Sequence, residues 1–346
     1  MKQGIVLGLS AVCVLAGCKS GKETDSAPAA ATGDKNVAAV AEAKPKSGKR
    51  TIAYIQKQGD QQYFVDQAAG AREAAAKLGV EVKVSNVALD SNLAVSTLET
   101  MIAQNVDGIA VVVPDQRIGP QVIDRAKQAG IPLVASDDGI SDAAGNAAPF
   151  VGFDGGAMGR EVGLKAGALY KASGWKAADT RIISSSKQDL SVCQDRVNGA
   201  KKAFIEASGE SGVKVVDLGT DNTPIDAQNR TAALITANRG VKHWVVWGCN
   251  DENVSGVVTA LANANVEAKD VIGVGLGAYL ACKDWKAGKQ TGMKAALFID
   301  GRDVGAAAVR VLSESIQNKT PLPAKTIAET HMVDATNWQN AGVKCE

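Results

Sequence analysis

From residue 51 onward the chain predicts an α/β fold: two lobes, each a doubly wound parallel sheet. Three observations carry this. Apolar runs of five to seven residues alternate with amphipathic helical stretches, the pattern of a parallel sheet covered by helices on both faces. The strands are too many for one sheet. An irregular stretch, GISDAAGNAAP at 139–149, breaks the alternation where the chain would cross between sheets.

The elements follow in order. TIAYIQ (51–56) is a β-branched and aromatic run that predicts a strand, with a helix over 64–78 after it. VEVKVSN (80–86) precedes a helix over 91–104, and DGIAVVVP (107–114) one over 117–129. IPLVAS (131–136) and APFVGF (148–153) close the first cycle. The second cycle has helices over 156–172, 194–207, 226–239, 252–264 and 279–287. Its strands are 180–186, 213–218, 243–248, 270–276 and 292–299.

The 346 residues are enough for two domains. Hydrophobic residues are 45% and charged residues 22%, a globular mix. A net charge of +1 gives no reason to expect a nucleic-acid surface. His243 and His331 are the two histidines, little material for a zinc site or a His-based triad.

The N-terminus reads as an export segment, 1–17: a Met1-Lys2 start, then an apolar run too short for a membrane span. It ends in Leu15-Ala16-Gly17-Cys18, which resembles a bacterial lipobox with Cys18 as the lipidated residue. Residues 18–50, rich in Ala, Lys, Ser, Gly and Pro, read as a disordered tether. The expected location is the periplasmic or extracytoplasmic face, with a lipid anchor as the only membrane contact. Cys193, Cys249, Cys282 and Cys345 remain for the folded part. They allow three pairings, and spacing does not choose among them. Cys193 reads as helix packing and Cys249 as an apolar wall. No CxxC is present, so metal spacing is absent.

In doubly wound sheets ligands sit beyond the carboxyl ends of the strands. Those ends carry Lys57, Tyr63 and Phe64 after the first strand and Asp137-Asp138 after the fourth. Arg196 follows strand 180–186, and Asn250 follows strand 243–248. Carboxylates, amides and guanidinium groups hold paired hydroxyls, and rings cover sugar C–H faces. Adjacent Asp137 and Asp138 diverge in an extended chain, which argues against a glycosidase pair. GVGLGA (273–278) fits G-x-G-x-x-A, but alone it is weak; it reads as a tight turn, and no cofactor is expected.

KQGDQQYF (57–64), VDGIAVVVPD (106–115), VASDDG (134–139) and KHWVVWGCNDENVSGV (242–257) resemble the periplasmic sugar-binding proteins of ABC importers, the ribose/galactose/arabinose type. The resemblance covers nearly all of the chain after residue 50 and is closest to the arabinose-binding members. It implies the type I periplasmic-binding-protein fold with a three-segment hinge. Lobe one would be 51–152 with 300–325, and lobe two 153–299 with 326–346. It implies that Lys57, Tyr63, Phe64, Asp137, Asp138, Leu190, Arg196 and Asn250 stand at sugar-contacting positions. Other positions depart from the arabinose-binding pattern. Gln61 replaces an acid, Phe153 and Cys249 replace methionines, and Val192 replaces threonine. Gly277 and Leu280 replace an asparagine and an aspartate, so a less polar lobe-two wall is expected. A 6-deoxy sugar, its methyl against Leu280 and Val192, would suit such a wall.

The function implied is capture of a monosaccharide, an arabinose-like pentose or a hexose, by a monomer that delivers it to an ABC importer permease. A sensory role, presenting sugar to a chemoreceptor or sensor kinase, would leave the same sequence. A repressor of related fold needs an N-terminal helix-turn-helix, which is absent here. An enzyme is not expected, because no nucleophile–base set stands out.

Overall fold

The structure, a computed structural model, describes residues 48–345. The export segment, Cys18 and the tether up to residue 47 lie outside the described residues. The first half runs β1 (Thr51–Gln56), α1 (Gln62–Leu78), β2 (Glu81–Asn86), α2 (Ser91–Ala103), β3 (Gly108–Val111), α3 (Gly119–Gln128), β4 (Leu133–Ser136) and β5 (Phe150–Gly152). The second runs α4 (Gly155–Ser173), β6 (Thr180–Ser186), α5 (Ser191–Ser208), β7 (Lys214–Gly219), α6 (Pro224–Ala237), β8 (His243–Gly248), α7 (Asp251–Asn263), β9 (Val271–Gly277), α8 (Ala281–Lys286) and β10 (Met293–Ile299). Three further elements follow: α9 (Gly301–Asn318), β11 (Lys325–Ile327) and β12 (Thr330–Val333).

Two six-stranded sheets result, ordered β11-β5-β4-β3-β1-β2 and β12-β10-β9-β8-β6-β7. Pairing is parallel throughout, except that β12 lies antiparallel to β10 at the edge of the second sheet. The strands read as near-continuous buried runs, Ile52–Gln56 and Trp244–Gly248 among them, as expected when helices cover both faces. Trp244 and Trp247 are fully buried on β8. Several helices, though not α1 or α5, start where a short polar side chain meets the first-turn N–H groups. Asp90, Asp154, Asn250 and Asp300 all accept such bonds.

The chain passes between sheets at the β5–α4 junction, at Asp300 between β10 and α9, and at Ala328–Glu329 between β11 and β12. The third crossing was expected at residue 325. It falls later because Lys325–Ile327 pairs with Phe150–Gly152, and the Ala328 N–H still donates to the Gly152 carbonyl.

Three helix pairs are packed at backbone distance among the described residues, one of them α6–α7 at Gly256. A Cβ at Gly159 of α4 would collide with the Arg196 carbonyl oxygen of α5, and one at Gly305 of α9 with the Gln67 carbonyl oxygen of α1. Only glycine permits approach this close. The helices so gripped, α5 and α1, carry side chains of the cleft between the sheets.

Candidate ligand-binding cleft

A cavity of about 300 Å³ opens at the carboxyl ends of both sheets. That is the lower end of the range for small-molecule sites. Of the residues read from the sequence, Lys57, Gln61, Tyr63, Phe64, Asp137, Asp138, Leu190, Val192, Arg196, Cys249 and Asn250 line it.

The lobe-one wall is a connected polar network. Asp138 forms an ion pair with Lys57, and both are largely buried. The Lys57 ammonium also stands 5.4 Å from the Phe64 ring centroid, within cation–π range. The Tyr63 hydroxyl donates to Asp137 at 2.7 Å and accepts from Gln67 at 3.0 Å. Gln67 in turn accepts from Tyr54 at 3.1 Å. Asp137 has φ +64°, so the chain turns here and is not extended as the sequence suggested. Asparagine and aspartate tolerate this left-handed region better than most residues. The two carboxylates still go to separate partners. Burial first, then the neighbouring Asp138, pushes the Asp137 carboxyl above its usual range. Lys57, Arg196 and the Tyr63 hydroxyl pull it back.

The lobe-two wall is built from helix starts and a strand end. Arg196, on α5, donates from Nη1 to the Cys249 carbonyl at 2.9 Å. Asn250 caps α7, accepting from the Asn253 backbone at 3.1 Å and side chain at 2.6 Å. Its Nδ2 donates to the Asn222 carbonyl at 3.1 Å, so part of this amide is committed to the fold. Cys249 is not a free thiol wall, nor is Cys193 simple helix packing. They form a disulfide, and both line the cavity. Cys282 pairs with Cys345.

Three expected cleft residues lie elsewhere. Phe153 packs behind the wall, its ring centroid 6.5 Å from that of Tyr63. Gly277 has φ +140°, and a Cβ there would collide with the Tyr279 ring. The turn that Gly277 permits lays Tyr279 along the cleft. Leu280 falls into a separate groove between α7 and α8, its N–H held by Asp251 at 2.8 Å.

Glu252 and Tyr279 therefore face the cavity where an apolar wall was expected. The Tyr279 hydroxyl donates to Glu252 at 2.8 Å. Gln61, from the opposite lobe, donates to Glu252 at 2.7 Å and to Tyr279 at 3.1 Å. Burial raises the Glu252 carboxyl from 4.5 to about 7, against the Tyr279 hydrogen bond. At the other rim Gln116 of lobe one accepts from the Ser191 hydroxyl at 2.6 Å. Side chains from the two lobes thus meet directly on either side of the cavity. Sequence reasoning missed both residues. Their signal was position: Glu252 stands in the first turn after β8, and Tyr279 two residues past β9.

The family model of the periplasmic binding protein domain matches residues 52–320. An ABC transporter L-arabinose-binding periplasmic protein of Azospirillum brasilense is 29% identical over 297 residues, 83% of this chain and 87% of that protein. An L-arabinose-binding periplasmic protein of Escherichia coli is 23% identical over 253 residues, 71% of this chain and 75% of that protein. An ABC transporter periplasmic solute-binding protein of Actinobacillus succinogenes, solved with bound D-allose, superposes with a TM-score of 0.73 at 26% identity. That superposition covers 84% of this chain and 100% of the other. By the span of the family match, laid over two parallel-sheet lobes with a cleft between them, the chain belongs to the periplasmic binding protein family.

Proposed function

We propose that the chain captures a monosaccharide in the cleft between its lobes and delivers it to an ABC importer. The observation that carries this reading is the wall chemistry. Paired carboxylates and an ammonium face a guanidinium and amides across a cavity of about 300 Å³. Such groups hold neighbouring hydroxyls through charge-assisted hydrogen bonds. The Tyr63 and Phe64 rings add apolar surface for sugar C–H groups. The arabinose-binding names of the relatives and the D-allose bound to the Actinobacillus protein support the same ligand class.

The ligand is a fully hydroxylated aldose rather than a deoxy sugar. Glu252, Tyr279 and Gln61 supply polar partners on the lobe-two side of the cavity, and Leu280 lies outside it. Binding is expected to close the lobes by hinge bending, because ligand touches both. Cys18, in its lipobox context, would hold the protein at the membrane. Labelling with a fatty-acid analogue, present in the natural chain and lost in Cys18→Ala, tests that part.

The test of ligand class is a thermal-shift screen of aldoses, deoxy sugars and polyols. A ligand bound only by the folded state raises the melting temperature by mass action. A clear shift with one pentose or hexose supports the proposal. No shift with any sugar overturns it, and a stronger shift with 6-deoxy sugars overturns the hydroxylated-aldose part.

A further inference from the structure

Lobe two carries a covalent bond on the surface of its cleft. Cys193 lies in the first turn of α5, and Cys249 directly follows β8. Both are buried. Three residues along α5 stands Arg196, whose guanidinium donates to the carbonyl of the same Cys249. Asn250 is the next residue in the chain. The Asn222 Nδ2 lies 3.4 Å from the Cys193 sulfur, and the Asn222 carbonyl accepts from Asn250. One sulfur bridge thus ties together the helix that bears Arg196, the strand end that receives it and the amide beside it.

The second disulfide, Cys282–Cys345, lies outside the cavity lining and ties α8 to the C-terminal tail. The two bonds span 56 and 63 residues. Loop-closure entropy grows only with the logarithm of loop length, so they restrain the unfolded chain almost equally. Any difference between them must come from what each holds in the folded state.

We infer that the Cys193–Cys249 disulfide is a positioning bond for the ligand site, holding Arg196 and Asn250 in their binding geometry. The inference rests on the monosaccharide reading for its effect on affinity. An arginine side chain loses much rotamer freedom when it is held in one orientation. Fixing the distance between α5 and the end of β8, with Cα atoms 4.9 Å apart, meets that cost before ligand arrives. Preorganisation of this kind strengthens binding without adding a contact.

Two double variants of the purified protein test it: Cys193→Ser with Cys249→Ser, and Cys282→Ser with Cys345→Ser. Each is measured by thermal unfolding and by calorimetric titration with L-arabinose and D-allose. The expected result is a similar loss of melting temperature in both. Sugar affinity falls roughly tenfold or more in the first variant alone, the scale of one charge-assisted hydrogen bond. Natural affinity in the first variant, or equal losses in both, overturns the inference. Should the serine pair not fold, Cys193→Ala with Cys249→Ala takes its place. Should neither sugar bind the natural protein, the Arg196 Nε–H resonance is the readout. A dispersed signal that collapses toward exposed arginines in the first variant alone supports the positioning role, although the ligand reading has failed. An unchanged signal overturns it.

Discussion

The two walls of the cleft are held by different means. In lobe one the cleft-lining side chains hold each other: Lys57 pairs with Asp138, and Tyr63 joins Asp137 to Gln67. In lobe two Arg196 rests on the Cys249 carbonyl and Asn250 on the start of α7, while Glu252 and Tyr279 hold each other. Buried charges must be compensated to be tolerated at all. The first wall is therefore part of the fold's own stability. At Arg196 and Asn250 the second wall can lose a cleft contact while its backbone supports stay in place.

The sharpest way to break this contrast is to remove Asp138. Asp138→Ala leaves the Lys57 ammonium buried beside Phe64 without its partner, and breaking a buried pair costs about 3–5 kcal/mol. Urea unfolding should show a loss of that size; a loss below about 1 kcal/mol would mean the first wall is not self-compensating.

Next in size is a pH effect on the lobe-two side. Folding raises Glu252 from 4.5 to about 7, so between these values the folded state holds a proton that the unfolded chain releases. Stability from this group is complete below pH 4.5 and declines as pH rises to about 7. The decline is at most about 3.5 kcal/mol, taking about 1.4 kcal/mol per unit over the roughly 2.5 units between 4.5 and about 7. Glu252→Gln should flatten most of it in denaturant titrations at several pH values. A residue of the same sign should persist, because Asp137 is also raised. An unchanged slope in the variant would show that Glu252 is not buried in the dominant form.

Tyr63→Phe keeps the ring and deletes the donor to Asp137. A buried carboxylate stripped of one donor costs about 1–3 kcal/mol, and sugar affinity should fall with stability. An affinity loss without a stability loss would make lobe one resemble lobe two. The smallest effect belongs to the rim. Gln116→Ala removes an exposed contact to Ser191 and should change stability by under about 1 kcal/mol. Small-angle scattering should show the sugar-free protein more open, and an unchanged profile would leave the Gln61 contact as the main link between lobes.

Much of this was legible in the sequence because parallel sheets write themselves as alternating buried runs and amphipathic helices. Lys57, Asp137, Asp138 and Asn250 could be read as candidates because they follow strand ends, and Arg196 because it lies on the helix after β6, at the side where ligands of such sheets bind. What escaped depends on distances that one-dimensional patterns do not contain. The pairing of Cys193 with Cys249 follows from the approach of α5 to β8. The exchange of Leu280 for Tyr279 follows from the turn after β9, where Gly277 and Ala278 both have positive φ. Glu252 and Asn250 are two residues apart in sequence, and only the start of α7 after Asn250 decides that both reach the cavity.

The glycine-mediated helix pairs have a mechanical meaning. α4 is the first element after the β5–α4 crossing, and α9 the first after the crossing at Asp300. Each is seated against the helix that carries cleft-lining side chains, with no side chain between them at Gly159 or Gly305. Each pair is thus a short stiff lever with its fulcrum at the hinge. A pull on Arg196 or Tyr63 passes through backbone to the pivot, with almost no compressible padding to absorb it.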